Sequence, residues 1–237
     1  MEISDAIIGK KVIIFDLFFT LVTADIADDD FVPTYETLGV DKLAWRQQTF
    51  GTSHARLTGA ETDPCRIVES MAHAIDPNIP ISVIREATEL RIARFEHTLM
   101  NVPESTLSVL AALRQQGLKT ALITNADVIE TQMWERSPLA ALFDVTVLSW
   151  QVGLAKPEPE IYQHCLRLLN LGASQGVFVG DGGSNELSGA RAVGLTTVFV
   201  TGLMPELSKQ EIQHRKSIAN YTIGNLAELI HIPSDGI

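Results

Sequence analysis

The amino-acid sequence predicts an α/β protein in which a doubly wound parallel sheet is interrupted by an inserted α-helical segment. The apolar, β-branched stretch 11–15 is typical of a buried parallel strand. From about 34 to 100 the pattern is helical throughout, and beyond Pro103 strands and helices alternate as in βαβ units. Helices that follow one strand without a sheet partner indicate a small bundle inserted into the sheet domain.

The first predicted strand ends in a carboxylate. Its residues Val12, Ile13 and Ile14 favour a strand buried on both faces, and Asp16 follows Phe15 before any turn residue. Because open α/β sheets bind ligands at the carboxyl ends of their strands, Asp16 lies where such folds place their chemistry. An Asp at this position also fits a simple cap of the next turn, and the other strand ends decide between the two interpretations.

Four helices are predicted within the insertion. Asp41 is a candidate N-cap, and Gly59 is a candidate stop signal for the helix between them. The acidic stretch 25–30 is interpreted as a solvated linker rather than a metal site, because consecutive acids cannot all face one ion. The four predicted helices span residues 35–38, 41–57, 63–75 and 82–100.

The remainder of the chain supplies the other strands and helices of the sheet. Asp127 and Glu130 form a capping-box pattern at the start of one helix, and Pro157 and Pro159 open another. The predicted strands are 120–124, 145–148, 177–179 and 197–200, with a short sixth at 221–223. The predicted helices span 104–116, a segment after Asp127, 157–169, 184–193 and 226–230.

Composition restricts the function classes. The 237 residues are 46% hydrophobic and carry a net charge of -11 with no long Lys/Arg cluster, which argues against nucleic acid and anionic membranes as partners. An anionic small-molecule substrate stays compatible with this charge. The two cysteines, Cys65 and Cys165, fit a reducing compartment. Without a signal pattern or a membrane-length apolar run, we expect a cytoplasmic protein; the sequence does not indicate an oligomeric state.

Chemically competent side chains follow the other predicted strands as well. Their arrangement offers a carboxylate nucleophile, a hydroxyl donor, an ammonium group and further carboxylates. Clustered carboxylates repel one another unless a cation joins them, and oxygen ligands of this kind suit Mg²⁺. Lys156 can neutralise charge beside Asp16 or on an anionic substrate. The residues in question are Asp16, Thr124, Asn125, Lys156, Asp181 and Glu186.

With this ordered set, the sequence resembles the haloacid dehalogenase (HAD) superfamily over nearly its whole length. The order, the spacing and the helical insertion are similar to those of the C1-capped members. The resemblance implies a Rossmann-like core domain of residues 1–21 and 101–237 and a mobile helical cap domain of residues 22–100. It is carried by Asp16-Leu17-Phe18-Phe19-Thr20-Leu21, Thr124-Asn125, Lys156-Pro157, and Gly180-Asp181 with Glu186.

The resemblance also implies a chemistry, in which an aspartyl-enzyme intermediate forms on a phosphate ester with the help of Mg²⁺. Asp16 is implied as the nucleophile and as a metal ligand. The backbone carbonyl of Phe18 and the side chain of Asp181 are implied as further ligands, and Glu186 acts directly or through water. The function favoured on this basis is a Mg²⁺-dependent phosphatase for a small phosphorylated metabolite.

Four further residues receive roles at the substrate. Thr124 and Lys156 are implied to stabilise the oxygens of the transferred phosphoryl group. For the other two, alternatives stay open. Thr20 either contacts the substrate or satisfies its own turn, and Asn125 either orients the substrate or holds its loop.

Phe18 is the departure from the phosphatase pattern. Family phosphatases usually carry Asp two residues after the nucleophile, and this acid protonates the leaving group; a general acid contributes about 10²–10⁴-fold in rate. Three explanations follow. A cap residue replaces the acid, the leaving group needs no proton (as in acyl, aryl or anomeric phosphates), or the leaving group is halide, since family dehalogenases carry an aromatic residue here.

The last of these motifs, Asp181 with Glu186, argues against halide as the leaving group. Family dehalogenases work without metal and typically carry Ser at the position of Asp181, whereas this chain keeps both Asp181 and Glu186. Two uncompensated buried carboxylates are expensive, so their presence favours a cation. The alternatives to a phosphatase are a 2-haloacid dehalogenase-like hydrolase and a catalytically impaired HAD-fold protein that binds or senses a ligand.

Four residues of the insertion are polar or aromatic candidates for setting specificity as part of the cap: Trp45, Arg46, His54 and Arg56. Arg46 lies at roughly the separation from Asp16 at which dehalogenases carry the Arg that binds the substrate carboxylate; a solvated helix face is an equally good reading. His54 is a candidate substitute for the missing acid. Arg56 precedes Gly59 at a predicted helix end, where a cation complements the helix dipole.

Overall fold

The structure, a computed structural model, describes residues 3–23, 31–203 and 207–230, so the acidic stretch 25–30 lies outside the described residues. The predicted α/β class is confirmed, because six strands form one sheet in the order β3-β2-β1-β4-β5-β6 with parallel pairing throughout. The strands are β1 (Val12–Phe15), β2 (Lys119–Thr124), β3 (Val145–Leu148), β4 (Gly176–Gly180), β5 (Thr196–Val200) and β6 (Tyr221–Ile223).

Helices cover both faces of this sheet and fill the insertion. Among the described residues, none of the helices is long and apolar enough to cross a membrane. The α-helices are α1 (Ile3–Ile7), α2 (Thr34–Thr37), α3 (Lys42–Gly51), α4 (His54–Leu57), α5 (Pro64–His73), α6 (Ile81–Met100), α7 (Glu104–Gln115), α8 (Val128–Thr131), α9 (Ser149–Val152), α10 (Pro159–Leu169), α11 (Glu186–Ala192) and α12 (Lys209–Ile218).

The prediction of a single helix over 41–57 is wrong. Asp41 does cap a helix, since its side chain accepts a hydrogen bond from Ala44 N at 2.9 Å, but that helix ends at Gly51 and α4 starts separately at His54. Thr52 at the break has φ −120° and ψ 23°, which is not helical. Short hydroxyl side chains that bond back to nearby carbonyls compete with helical hydrogen bonds, and Thr52 does so.

Other parts of the fold also differ from the sequence prediction, which contained neither α1 nor α9. The last predicted helix, 226–230, is a 3₁₀ turn, and α12 was not predicted at all. Eight of its ten residues are polar, and its two isoleucines, Ile212 and Ile218, lie six positions apart and are only partly buried, so the helix carries no clear apolar periodicity. The sequence did hold one signal, because Ser208 and Glu211 form a capping box at the start of this helix.

The central strand is buried on both faces, as its composition predicted. Ile13 and Phe15 belong to one hydrophobic cluster, while Val12 and Ile14 belong to another. Alternate residues of a strand point to opposite faces of the sheet, so the two clusters are the two layers between the sheet and its helices. All four residues of β1 are fully buried, so any chemistry at this strand is confined to its ends.

A third hydrophobic cluster lies in the insertion. It includes Trp45, Val68, Ile84 and Phe95, together with Ile129 of α8, which belongs to the sheet part of the chain. Phe18, which follows β1, packs against this cluster and against the first one. The insertion is thus packed directly on the residues that surround the end of β1.

Residues 54–59 form the polar part of this contact. His54 of α4 meets Glu158 at 3.0 Å, and Arg56 donates to Asp127 at 2.5 Å in a fully buried pair. The backbone of Gly59 lies so close to Trp150 that an added Cβ would be 2.2 Å from its carbonyl oxygen. A side chain at position 59 would therefore have to displace main-chain atoms.

We expect Gly59→Ala to lower the free energy of unfolding by about 2 kcal/mol or more, because the contact with Trp150 adds to the strain of a φ of +77°. Urea titration measures the change. Gly39 has a similar φ of +67° with open space around it, so Gly39→Ala reports the backbone strain alone. Gly51→Ala lacks both effects and should be neutral or slightly stabilising. Equal losses at 59 and 39 would contradict a role for the Trp150 contact.

Candidate active site

Asp16 lies at the centre of the sheet, directly after β1. Phe15 is in register with Leu122 of β2 and Val179 of β4, so the three strands end at nearly the same level. The amide of Asp16 continues the ladder by donating to Val179 O at 2.9 Å, and the residue as a whole is only 6% exposed. The carboxyl ends of β1, β2 and β4 therefore form one buried rim, with Asp16 in its middle.

Lys156 connects two acids of this rim. Its ammonium donates to Asp16 Oδ1 and, at 2.5 Å, to Glu186 Oε2, and it is buried. The loop that carries Lys156 is held by the side-chain amide of Asn125, which accepts from Lys156 N and donates to Lys156 O, both at 2.8 Å. These two hydrogen bonds are those of the loop-holding alternative, and a contact of Asn125 with the substrate stays a prediction.

Glu186 enters the rim from the first residue of α11. Gly180 makes room for it, because an added Cβ there would lie 2.1 Å from Glu186 Oε1. The same oxygen accepts a hydrogen bond from Gly182 N at 2.9 Å. Tyr162, which is fully buried, donates from its hydroxyl to Glu186 O at 2.8 Å and fixes the start of the helix.

Asp181 follows β4 and is held from two sides. Gly183 N donates to its Oδ1 at 3.0 Å. Arg215 of α12 donates to its Oδ2 at 2.9 Å and to its main-chain oxygen at 2.6 Å. Asp181 has its own counter-ion in this way, separate from the one that Asp16 and Glu186 share.

Electrostatics at the rim favour an additional positive charge. Burial raises the pKa of Asp16 against the opposing effect of Lys156, and Asp181 adds to the rise. Burial and the charge of Asp16 raise the pKa of Glu186 well above its usual value. Burial lowers the pKa of Lys156, but Asp16 and Glu186 outweigh it, so the ammonium stays charged. The ionised carboxylates are therefore not fully compensated by the cations around them.

The donor set fits a divalent cation. Carboxylate oxygens of Asp16, Asp181 and Glu186 all lie within 4.8 Å of one another, and all three residues are buried. Oxygen ligands at this spacing are those that Mg²⁺ prefers. Among the residues that the structure describes, Thr124 Oγ1 is buried without a hydrogen-bond partner, which leaves a donor available for a ligand at the same rim.

The other predicted site residues take different places. Thr20 donates to Asp16 Oδ2 at 3.4 Å, so it contacts the candidate nucleophile itself. The ring of Phe18 is half-buried and meets the ring of Phe95 edge-on at 5.5 Å. The assignment of the Phe18 carbonyl as a metal ligand stays a prediction.

The two insertion residues that were predicted to contact the substrate, Arg46 and His54, make other contacts in the structure. Arg46 is exposed, and its guanidinium lies 5.7 Å from the ring centre of Phe50. His54 pairs with Glu158, and its side chain is 71% exposed. Neither contact brings the side chain to Asp16, so a role of Arg46 or His54 at the substrate stays a prediction.

Several residues around the site escaped the sequence analysis. Tyr162 and Arg215 lie on helices, and neither directly follows a strand in the sequence. Arg56, interpreted above as a helix-end cation, does lie in the last turn of α4, and its guanidinium is also buried in an ion cluster with Asp127, where Arg91 donates to Glu130 at 2.8 Å. The capping box of Asp127 is confirmed. Its second role as an ion-pair partner had no local signal, because the two arginines come from the insertion.

Comparison with known proteins agrees with this geometry. A family model described as a haloacid dehalogenase-like hydrolase matches residues 10–194. Glyceraldehyde 3-phosphate phosphatase of Methanocaldococcus jannaschii is 28% identical over 170 residues, which cover 70% of this chain and 69% of that protein. The chain spans 20%, 41% and 55% of the lengths of three further curated relatives.

Solved structures share the fold. A dehalogenase superposes with a TM-score of 0.68 at 19% identity, over 93% of this chain and 96% of that one. An enzyme from Bacteroides thetaiotaomicron, in complex with magnesium and inorganic phosphate, superposes with a TM-score of 0.60 at 19% identity, over 85% and 99% of the two chains. At such low identity the likeness extends to the fold alone.

Proposed function

Because the chain belongs to the haloacid dehalogenase-like hydrolase family, we propose that it is a Mg²⁺-dependent phosphatase acting on a small phosphorylated metabolite. One observation carries the proposal. Asp16, Asp181 and Glu186 converge within 4.8 Å at the end of the central strand, beside a charged Lys156. The Methanocaldococcus relative, whose name specifies a phosphate ester, supports the same substrate class.

In the first step, Asp16 acts as the nucleophile. One of its carboxylate oxygens forms a bond to phosphorus while the ester P–O bond breaks, which leaves an aspartyl-phosphate and an alkoxide. Lys156 and the hydroxyl of Thr124 donate to the oxygens of the transferred group as negative charge develops there. Water then cleaves the aspartyl-phosphate, so Asp16 is regenerated and inorganic phosphate is released.

A bound Mg²⁺, held by Asp16, Asp181 and Glu186, would neutralise charge on the phosphoryl oxygens. Lys156, which donates to Asp16 and Glu186, would supply the same kind of stabilisation. Burial of these groups strengthens each electrostatic interaction, because little water is present to screen it. The chain thus offers both a nucleophile and the positive charge that a phosphate dianion needs to approach it.

Phe18 restricts the leaving group. A phenyl ring cannot donate a proton, so an alkoxide has no donor two residues after the nucleophile. We therefore propose that the preferred substrates have leaving groups of low pKa, such as acyl or anomeric phosphates. His54 stays a candidate donor only if the cap moves, since it pairs with exposed Glu158 in the present conformation.

Residues 22–100 would act as a C1-type cap over a core of residues 1–21 and 101–237. Support comes from the separate hydrophobic cluster of the insertion and from the polar contacts of residues 54–59 with the sheet part. The contact of Phe18 with Phe95 joins the loop after the nucleophile to this insertion. Closure of such a cap excludes water from the reacting groups.

The decisive experiment is a parallel screen of phosphate esters and 2-haloacids with the purified full-length chain, in Mg²⁺ and in EDTA. We expect phosphate release that depends on Mg²⁺ and stops in EDTA. A second function, 2-haloacid dehalogenation, is favoured by one observation, the aromatic side chain of Phe18. Halide release that persists in EDTA would support it and would contradict the phosphatase proposal.

Replacing Phe18 tests the missing acid directly. With an alkyl phosphate, we expect Phe18→Asp to reach a kcat/KM at least about 10²-fold above that of Phe18→Asn, because only the carboxyl can protonate the alkoxide. Both variants lose the contact with Phe95 equally, so the ratio of their kcat/KM values reports only the ability of residue 18 to donate a proton. With an aryl phosphate the ratio should approach one. Equal rates on the alkyl ester would show that another residue already supplies the proton.

A further inference from the structure

We propose that Arg215 is a positioning residue that holds the carboxylate of Asp181 for metal binding. The inference rests on the proposed function, since it takes Asp181 as a ligand of Mg²⁺. Arg215 lies in the last turn of α12, 34 residues after Asp181 in the chain. One nitrogen, Nη1, donates both to Asp181 O at 2.6 Å and to Asp181 Oδ2 at 2.9 Å. These two hydrogen bonds fix the main chain and the side chain of Asp181 together.

The loop that follows Asp181 needs such an external hold. Gly182, Ser184 and Asn185 have φ values of 81°, 51° and 55° in the left-handed region. Non-glycine residues occupy this region at an energetic cost and persist there only where surrounding contacts impose it. The loop leads from Asp181 to Glu186, so its conformation sets the distance between two of the three carboxylates.

Arg215 packs against this loop as well as bonding to it. An added Cβ at Gly182 would lie 2.9 Å from Cδ of Arg215, so the absence of a side chain lets the arginine stem cross the loop. The helix that carries Arg215 is fixed independently, because its Ile212 and Ile218 pack against the second hydrophobic cluster. Arg191 of α11 offers a matched control, since it donates to Ile218 O at 2.9 Å and so ties α12 to α11 through a main-chain oxygen rather than a carboxylate.

Arg215 and Lys156 neutralise different carboxylates of the site. Lys156 pairs with Asp16 and Glu186, whereas Asp181 pairs with Arg215. Groups that orient a metal ligand typically change metal affinity or activity by about 10–100-fold when they are removed. Loss of the positive charge alone would favour a dication at the site. Weaker Mg²⁺ binding in a neutral variant would therefore come from lost orientation of Asp181.

The test measures Mg²⁺ binding to the full-length chain by titration calorimetry with the metal alone. We expect Arg215→Met to weaken Mg²⁺ binding by about 10–100-fold. Arg215→Lys should lie between this variant and the unchanged protein, because an ammonium keeps the charge and the donors on a shorter stem. With substrate, kcat should fall at saturating Mg²⁺ while KM changes little, since Asp181 contacts the metal and not the ester.

Arg191→Met should bind Mg²⁺ like the unchanged protein, and thermal unfolding verifies that each variant is folded. Unchanged or tighter Mg²⁺ binding in Arg215→Met would overturn the inference, and so would an equal loss in Arg191→Met. If the unchanged protein binds no Mg²⁺, the proposed function falls together with this inference. If it binds Mg²⁺ and Arg215→Met binds equally well, only the role of Arg215 falls.

Discussion

Replacing Asp16 with Asn is expected to lower phosphate release by at least about 10⁴-fold, because an amide cannot attack phosphorus and no covalent intermediate can form. Fold stability should not suffer. Burial raises the pKa of Asp16, which means that the folded state favours a neutral side chain at this position. We therefore expect the melting temperature of Asp16→Asn to equal or exceed that of the unchanged protein, as measured by calorimetry.

The matched control for this variant is Asp41→Asn. Asp41 caps α3 by accepting from Ala44 N, and Asn caps helices equally well, so both activity and stability should be preserved. Acid quenching after mixing with a labelled substrate should trap a phosphorylated chain in the control and none in Asp16→Asn. Undiminished phosphate release in Asp16→Asn would contradict the nucleophile assignment. Ligand binding without turnover in the unchanged protein would support a non-catalytic role.

Replacing Lys156 with Met is expected to have the second large effect, a loss of fold stability. The ammonium is the shared partner of Asp16 and Glu186, so its removal leaves two buried carboxylates facing each other. Breaking a buried ion pair in this way costs about 3–5 kcal/mol, and we expect a loss of that order in the free energy of unfolding measured in EDTA. Saturating Mg²⁺ should restore part of the loss, because a bound cation stabilises only the folded state.

The loss in Lys156→Met should grow with pH. Burial raises the pKa values of Asp16 and Glu186, so the folded state takes up protons more readily than the unfolded chain. A carboxyl with a raised pKa stabilises the fold at low pH and loses that effect as pH increases through its folded-state pKa. Urea titrations at acidic and alkaline pH should therefore show a larger loss at the alkaline value.

Two controls separate charge from packing in this experiment. Lys119→Met removes an exposed lysine and should change the free energy of unfolding by less than about 0.5 kcal/mol. Adding Glu186→Gln to Lys156→Met removes one of the stranded carboxylates and should recover part of the lost stability. If the double variant is no more stable than Lys156→Met, lost packing rather than uncompensated charge explains the effect.

The sequence alone was sufficient to predict the α/β class and the residues of the rim. β1 was recognisable because a strand buried on both faces is a continuous apolar run, and Asp16 ends that run. Lys156 was placed beside Asp16 although 140 residues separate them, because parallel strands present all their carboxyl ends at one edge. Backbone topology, which the pattern of strands and helices determines, was enough for this step.

Other features depended on side chains that no strand end positions. Arg215 and Asp181 lie 34 residues apart, and Arg56 and Asp127 lie 71 apart, with one member of each pair on a helix whose rotation the sequence pattern leaves open. The same holds for Asn125, whose hydrogen bonds to the loop of Lys156 became apparent only in the tertiary structure.

The sequence by itself therefore determined which residues reach the end of the central strand, and the tertiary structure decided what holds them there. Strand order and strand ends follow from hydrophobic periodicity, a local property that can be read along the chain. The partners of buried charges follow from packing between distant segments. Burial removes water, so each buried charge must pair with a group that packing brings against it. That choice exists only once helices such as α12 have docked.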